Sequence, residues 1–548
     1  MTLKNNYIQI LVALVLLIFL NLAGKYFYKR FDLTQDKRYT LSEETLSLVK
    51  GLDEPLQVKV YLQGDFPAEF KRLQAETRQF LEELSAISGK VQFRFIDPIS
   101  SSRDLVEKGL QPSRLTVQEG GKVSEAVIFP WAMISYKGQE APVPLLVNAV
   151  APSQEQQLQN SIENLEYEFA NAMYKLRSEK KKKIAVLRGN GELEDIRLYS
   201  FLKRLGEYYR LAEFTLDSVD ADPVRTLERL MDYDLALVAK PTEAFSEKEK
   251  FAMDQFLLHG GKTLWLVDNV QAEMDSLMAS GRSVALNRDL NLTDMFFSYG
   301  VRINYNVSRD LYSGTIRLAS GNTGNQVQYQ DFLWQYFPMI FPDNSHPITR
   351  NLDPVLLKFP SSMDTLDNGL KKTILLSSSP LTRVIGTPVL ISLDEIAEET
   401  DRSQYNDPAT PFGVLIEGRF RSAYADRIHP FAYSRYQETG EPGKMVVISD
   451  GDIIANEVLR GEPQPLERDM WTSQPYGNSD FLMLTVHYLL DADGVIQLRA
   501  KNLQLQFLDK ERAFAERTYW QILNVLLPLL LLFGSGILFH AIRKKRYG

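Results

Sequence analysis

Two apolar runs near the ends of a polar chain limit what it can become. Tyr7–Ala23 reads YIQILVALVLLIFLNLA and Trp520–Ile542 reads WQILNVLLPLLLLFGSGILFHAI. As helices rising ~1.5 Å per residue they cover roughly 26 and 34 Å, against a hydrocarbon core about 30 Å thick. The pattern predicts an anchor at 1–24, a second membrane helix at 520–542, and a body held on one side of the bilayer by both ends. Lys4 would also suit a signal peptide. The small-residue cleavage pattern is poor at Asn21-Leu22-Ala23 and Leu22-Ala23-Gly24, so an uncleaved anchor is expected. Pro528 and the patch Gly534-Ser535-Gly536 are tolerated in a membrane helix.

Flanking charges set the orientation. Arg543-Lys544-Lys545-Arg546, in the tail 543–548, favour a cytoplasmic C-terminus, whereas Lys25, Lys29 and Arg30 outweigh Lys4 around the first run. Two spans put both termini on one side. The tighter C-terminal cluster decides for a two-pass protein of the inner (cytoplasmic) membrane, with cytoplasmic termini and a periplasmic body. With no cysteine, disulfides and thiolate chemistry are excluded. The net charge of −8, with both signs interspersed, gives no footprint for nucleic acid. The basic run Lys180–Lys183 reads as a solvated linker before a strand.

The body reads as α/β in two parts. Residues 25–150 form a first unit with strands at Leu56–Leu62 and Val91–Ile96 around a helix at Pro67–Ser88, then a short helix around Leu105–Leu110 and two or three further strands, a β-α-β-α-β-β order like that of thioredoxin. A helix within 151–181 links it to the second part. From 182 to 500 the rhythm is doubly wound, with strands at Ile184–Leu187, Tyr233–Ala239, Thr263–Val267, Met445–Ser449 and Gly494–Ala500. Helices are expected at Leu198–Tyr209, Ser246–Leu258 and Ser479–Leu490, the second opened by a Ser246/Glu249 capping box. A β-richer insertion occupies about 275–440, and a stalk 501–519 leads to the last helix.

Catalytic patterns fail. Gly260-Gly261-Lys262-Thr263 lacks the first glycine of a phosphate loop, since position 256 is Phe256, and it lies between helix and strand rather than strand and helix. His259, His346, His429, His487 and His540 are not at metal-ligand spacing, and no Gly-x-Ser-x-Gly elbow occurs. No enzyme activity, cofactor or metal is expected. One constellation survives. Ligands of doubly wound sheets bind at the carboxyl ends of strands, and three such ends are polar: Asn190 and Glu192, Asp268 and Asn269, Asp450 and Asp452. If those strands are neighbours, their carboxylates share a crevice fit for a cation or a basic peptide. The alternative is that these residues cap helices and shape turns.

The order of several short motifs resembles a known family. They are Asp32-Leu33-Thr34 with Arg38-Tyr39-Thr40-Leu41-Ser42 after the anchor, Tyr233-Asp234-Leu235, Gly260-Gly261-Lys262 before a strand ending Val267-Asp268, Val447-Ile448-Ser449-Asp450-Gly451-Asp452, and Gly477-Asn478-Ser479-Asp480-Phe481. Along nearly the whole chain they are similar to the gliding-motility-associated, substrate-binding-type auxiliary proteins of ABC transport systems in Bacteroidetes. The resemblance implies a non-catalytic extracytoplasmic subunit working with a polytopic permease and a separate ATPase, its substrate unnamed. The sheet unit also resembles glutamine-amidotransferase-type and intraflagellar-transport-type domains. The amidotransferase nucleophile is a cysteine, so that activity does not carry over. A structural envelope scaffold of the motility machinery is the second reading, and a hydrolase using the acidic crevice the third.

Overall fold

The computed structural model describes residues 41–64, 68–98, 102–119, 122–146, 154–177, 182–323, 326–470, 472, 474–490, 496 and 516–547. The first apolar run, the motif residues 32–34 and 38–40, and the expected strand at 494–500 apart from Ile496 lie outside them. The chain divides into two compact units, residues 1–32 with 39–501 and residues 33–38 with 502–548.

The larger unit opens with helix α1 (Glu43–Lys50), whose cap is Ser42, the Thr45 amide donating to its hydroxyl at 3.2 Å. Strand β1 (Leu56–Val60) alternates buried with more exposed residues and lies parallel to β2 (Val91–Phe95). A parallel pair needs a crossover, and helix α2 (Ala68–Ile87) supplies it. After a hairpin at Ser113–Glu119 and Lys122–Ile128, β3 (Trp131–Tyr136) and β4 (Gln139–Pro144) complete a sheet of order β2-β1-β3-β4, antiparallel beyond β1. Helix α3 (Gln154–Arg177) sets Phe169 5.3 Å from Phe80 of α2, while its Tyr167 and Ala170 enter the same core as Ile184 and Leu198.

The main sheet then begins: β5 (Lys183–Arg188), α4 (Asp195–Leu205), β6 (Arg210–Thr215), α5 (Pro223–Leu230), β7 (Leu235–Ala239), α6 (Glu247–Leu258) and β8 (Lys262–Leu266). Every residue of β7 is buried because helices cover both faces of a parallel sheet. The capping box forms at α6: Ser246 accepts from the Glu249 amide, and the Glu249 carboxylate accepts from the Ser246 amide. The helix is sunk so deeply that it carries two buried charges. Lys250 is neutralised by Glu247 and Asp294, each at 2.8 Å, and Asp254 accepts from Tyr299 at 2.6 Å, Ser422 at 2.7 Å and the Ala423 amide at 2.8 Å.

Helix α7 (Met274–Ser280) leads into the β-rich stretch, whose longest feature is the hairpin of β9 (Ser313–Thr323) and β10 (Gln326–Ile340). Ile316, Trp334, Tyr336, Phe337 and Phe359 give this region a core of its own. The same stretch also feeds β11 (Lys371–Ser377) and β12 (Pro411–Arg421) into the main sheet, antiparallel beside β13 (Thr439–Ile448). The order is β11-β12-β13-β8-β7-β5-β6, parallel from β13 through β6. From β5 the chain steps outward to β6 and then back past β5 to β7, β8 and β13. The winding therefore reverses between β5 and β7, where doubly wound sheets open a crevice.

Helix α8 (Asn478–Leu490) packs on this sheet, and Gly477 precedes it with no room for a side chain: an added Cβ would lie 2.2 Å from the Asp353 carbonyl oxygen. Gly477→Ala must displace backbone, and overpacking of this kind typically costs about 1–3 kcal/mol. A lower thermal midpoint for that variant is the expected result in a circular-dichroism melt, and an unchanged midpoint would refute the contact.

The smaller unit is described through helix α9 (Arg517–Tyr547), of which Arg517–Lys545 is long and apolar enough to cross a membrane. The Ser535 hydroxyl bonds back to the Leu532 carbonyl at 2.8 Å, so that polar group is satisfied inside the helix.

Candidate functional site

The carboxyl ends of β5, β7, β8 and β13 meet at one edge of the main sheet, and a lysine occupies their centre. Lys240 follows the all-buried β7 in the left-handed conformation (φ 54°), uncommon for a residue with a side chain. Its buried ammonium lies 2.7 Å from Asp452, 2.8 Å from Glu273 and 3.6 Å from Asp268. Arg288 adds a second cation, 2.9 Å from Glu273 and 3.8 Å from Asp268. Gly451 sits against Lys240, and a Cβ there would lie 2.6 Å from the lysine Cβ. Its amide donates to Asp268 at 2.5 Å.

Behind this centre, buried Asp450 accepts from the amides of Lys358 and Asp452, both at 2.7 Å. The Lys358 ammonium reaches Glu457 at 2.5 Å, and Arg197 spans Glu457 at 3.8 Å and Asp275 at 3.3 Å. Asn269 is buried and donates to the Ile303 carbonyl at 3.0 Å. At the β5 end, the Asn190 amide donates to Glu192 at 2.9 Å, and the Asn190 carbonyl accepts from the amides of Thr242 and Glu243 at 2.9 Å. These bonds close the switch point between β5 and β7 with the chain's own loops.

The expected crevice residues therefore divide. Asp268, Asp450 and Asp452 are drawn together, and Asn190, Asn269, Asp268 and Asp450 are buried. Glu192 and Asp452 line an open cleft of about 950 Å³. Asp450 makes a local turn, accepting from the amide two residues on, while Asp268 and Asp452 spend their charge on Lys240. Lys240 escaped the sequence reading because strand ends were searched for acids. Yet it ends LALVA as Asp268 ends TLWLV and Asp450 ends MVVIS, so the same rule applied to any charge finds it.

Burial opposes the charge on Lys240, but Asp452, Asp268 and Glu273 together raise its pKa above the ordinary lysine value. It is thus permanently protonated and neither a base nor a nucleophile at neutral pH. Burial raises Asp268 to about 6 against the lowering pull of Lys240, and it raises Asp450 well above the carboxylate range with help from Asp268 and Asp452. Glu192 is also raised, chiefly by burial. Among the described residues no group of His, Asp or Glu is arranged to hold a metal ion. The arrangement is an ion cluster that fixes loops, with an open cleft beside it.

Known proteins match along much of the chain. Residues 35–135 match a domain of unknown function, DUF7088. An uncharacterized protein of Borreliella burgdorferi is 22% identical over 467 residues, 83% of each chain. Among solved structures, the mmIFT52 N-terminal domain aligns with 57% of this chain and 99% of its own at 14% identity, with a TM-score of 0.30, too low to argue from. Residues 181–484, which contain every strand of the main sheet and every strand-end residue above, match the family described as "ABC-type uncharacterized transport system". That match covers more than half of the chain, which therefore belongs to this family of ABC transport auxiliary proteins.

Proposed function

We propose that the protein is a non-catalytic, membrane-tethered auxiliary subunit of an ABC transport complex linked to gliding motility. It works with a polytopic permease and a separate ATPase. The observation that carries this reading is family membership across the main sheet, at whose strand ends the charged groups neutralise one another instead of forming a reactive site. The apolar helix α9 suits a tether, and the basic residues after it favour a cytoplasmic C-terminus. With Tyr7–Ala23 as a second span, the body is periplasmic in the inner membrane. The sheet order β2-β1-β3-β4, with its parallel β1-α2-β2 crossover, supports a thioredoxin-like first domain of architectural use only.

Tagged full-length protein purified from its native membrane in mild detergent should bring down a polytopic permease and an ATPase at comparable abundance by mass spectrometry. Recovery with other envelope proteins alone would replace this reading with that of a structural scaffold of the motility machinery.

A further inference from the structure

The β-rich stretch encloses another space, away from the strand ends of the main sheet. A cavity of about 480 Å³ lies between β9, β10, the short strand Asn306–Asp310 and the segment 393–402, a volume usual for small-molecule sites. The hairpin itself opens it. Ser313 pairs with Pro338 and Thr315 with Leu333, so residues 334–337 of β10 stand opposite Gly314 alone and the ladder parts there.

Three polar atoms of the lining residues have no hydrogen-bond partner among the described residues: Nε of Arg309, Oγ of Ser313 and Nε1 of Trp334. Ser313 is 8% exposed and Trp334 2%. Buried polar groups nearly always find a partner, because an unfilled one keeps its whole desolvation cost. Three beside one cavity are a demand that the fold leaves open. An indole N–H and a guanidinium N–H can only donate, and a serine hydroxyl can do so, so the missing group is an acceptor.

Charge points the same way. Arg309 pairs with Glu395 at 2.9 Å and donates to Gln335, with its guanidinium 4.8 Å from the centre of the Tyr336 ring. These contacts fix the guanidinium plane and still leave Nε without an acceptor. Asp331 is paired with Arg317 at 2.7 Å. Exposed Arg402 has no ion pair among the described residues, so the lining keeps one uncompensated positive charge. Leu311, Phe332 and Ile396 supply apolar wall, which offers water no partners.

We propose that this cavity binds a small organic carboxylate. Its oxygens accept from the Ser313 hydroxyl, the Trp334 indole N–H and Arg309 Nε, Arg402 meets its charge, and its apolar body lies against Leu311, Phe332 and Ile396. Hydrogen bonds to an ionised acceptor are about twice as strong as neutral ones, which suits a clamp made of donors. The site lies outside the main sheet, and its occupancy does not depend on the auxiliary role.

The test uses full-length protein in maltoside detergent and para-fluorobenzoate, followed by fluorine NMR line broadening. Saturable binding is expected, and Ser313→Ala and Arg402→Gln should each weaken it roughly tenfold. Ser313→Ala removes a hydroxyl that nothing in the fold satisfies, so its melting midpoint should equal or exceed the parent's. A merely structural serine would not give weaker binding without loss of stability. The neutral para-fluorobenzamide, of the same shape, should bind at least tenfold more weakly. No saturable binding of para-fluorobenzoate would mean that water alone meets these donors, and would overturn the proposal. Equal binding of the amide, or parent-like affinity in both variants, would do the same. So would a lower midpoint for Ser313→Ala, which would show a hydroxyl already partnered within the fold.

Discussion

Lys240→Met should be among the most destabilising single substitutions in the main sheet. Methionine keeps the length and apolar stem of the side chain but removes the charge that Asp268, Asp452 and Glu273 surround. Breaking a buried ion cluster by deleting one partner typically costs about 3–5 kcal/mol, because the remaining charges stay buried without compensation. Three further outcomes separate this from lost packing. Adding Asp268→Asn to Lys240→Met should recover part of the loss, giving a coupling energy in a double-mutant cycle of denaturant midpoints. Asp268→Asn alone should cost less than Lys240→Met. The pH dependence should also change. Asp268 in the folded chain sits near 6, above its ordinary value of 3.8, so its protonation contributes stability below about pH 4 that is lost as pH rises through 6. Without Lys240 the carboxylates titrate higher still, so Lys240→Met should regain stability on acidification from pH 7 to 5 more steeply than the parent. Equal midpoints for Lys240→Met and the parent at pH 7 would show that the cluster is electrostatically idle.

The cluster also shows where sequence reasoning reached and where it stopped. The elements found correctly are those with strong local signals. The Ser246/Glu249 capping box fixes the start of α6, and the uninterrupted apolar runs of β7, β8 and the end of β13 mark strands buried on both faces. Strand β6 and helix α5 were passed over. In β6 only Phe214 is buried, as befits an edge strand, so its Arg-Leu-Ala-Glu-Phe-Thr carries no clear alternation. The partition of 275–440 was hidden for another reason. Pro411–Arg421 joins the main sheet by pairing with β13, Lys371–Ser377 joins it only by pairing with Pro411–Arg421 far along the chain, and no local pattern encodes either register. At the site, the polar strand ends were legible because each follows a buried apolar strand. Their chemistry was not, since it depends on Lys240, Arg288 and Lys358, brought in from three separate connections. A cluster of like charges along a sequence predicts convergence only. Whether the centre holds an ion, a ligand or the chain's own lysine is a property of the fold.

His487 should give the protein a steep and separable acid sensitivity. It lies on α8 with Nδ1 2.7 Å from the Tyr209 hydroxyl and its ring 4.8 Å from that of Tyr208. Burial, with Arg204 nearby, lowers its pKa from 6.5 to about 3, so the folded chain keeps the imidazole neutral where the unfolded chain protonates it. The unfolded state therefore binds more protons between pH 6.5 and 3. This contribution is complete above pH 6.5 and is lost as pH falls, by about 2 kcal/mol at pH 5 given 1.36 kcal/mol per unit. Asp268 acts in the opposite sense, returning about 1 kcal/mol over the same interval. Asp450 and Glu192, also raised by burial, act in the same sense as Asp268, so the His487 contribution is read from the difference between parent and variant and not from the parent's own curve. His487→Phe retains the ring packing against Tyr208 and leaves the Tyr209 hydroxyl without this partner, a loss of about 1 kcal/mol that does not depend on pH. Its denaturant midpoint should thus fall below the parent's at pH 7 and overtake it by pH 5. Parallel curves for the two proteins would mean that His487 titrates alike in the folded and unfolded chains, and that the contact between α8 and Tyr209 is no proton-linked lock.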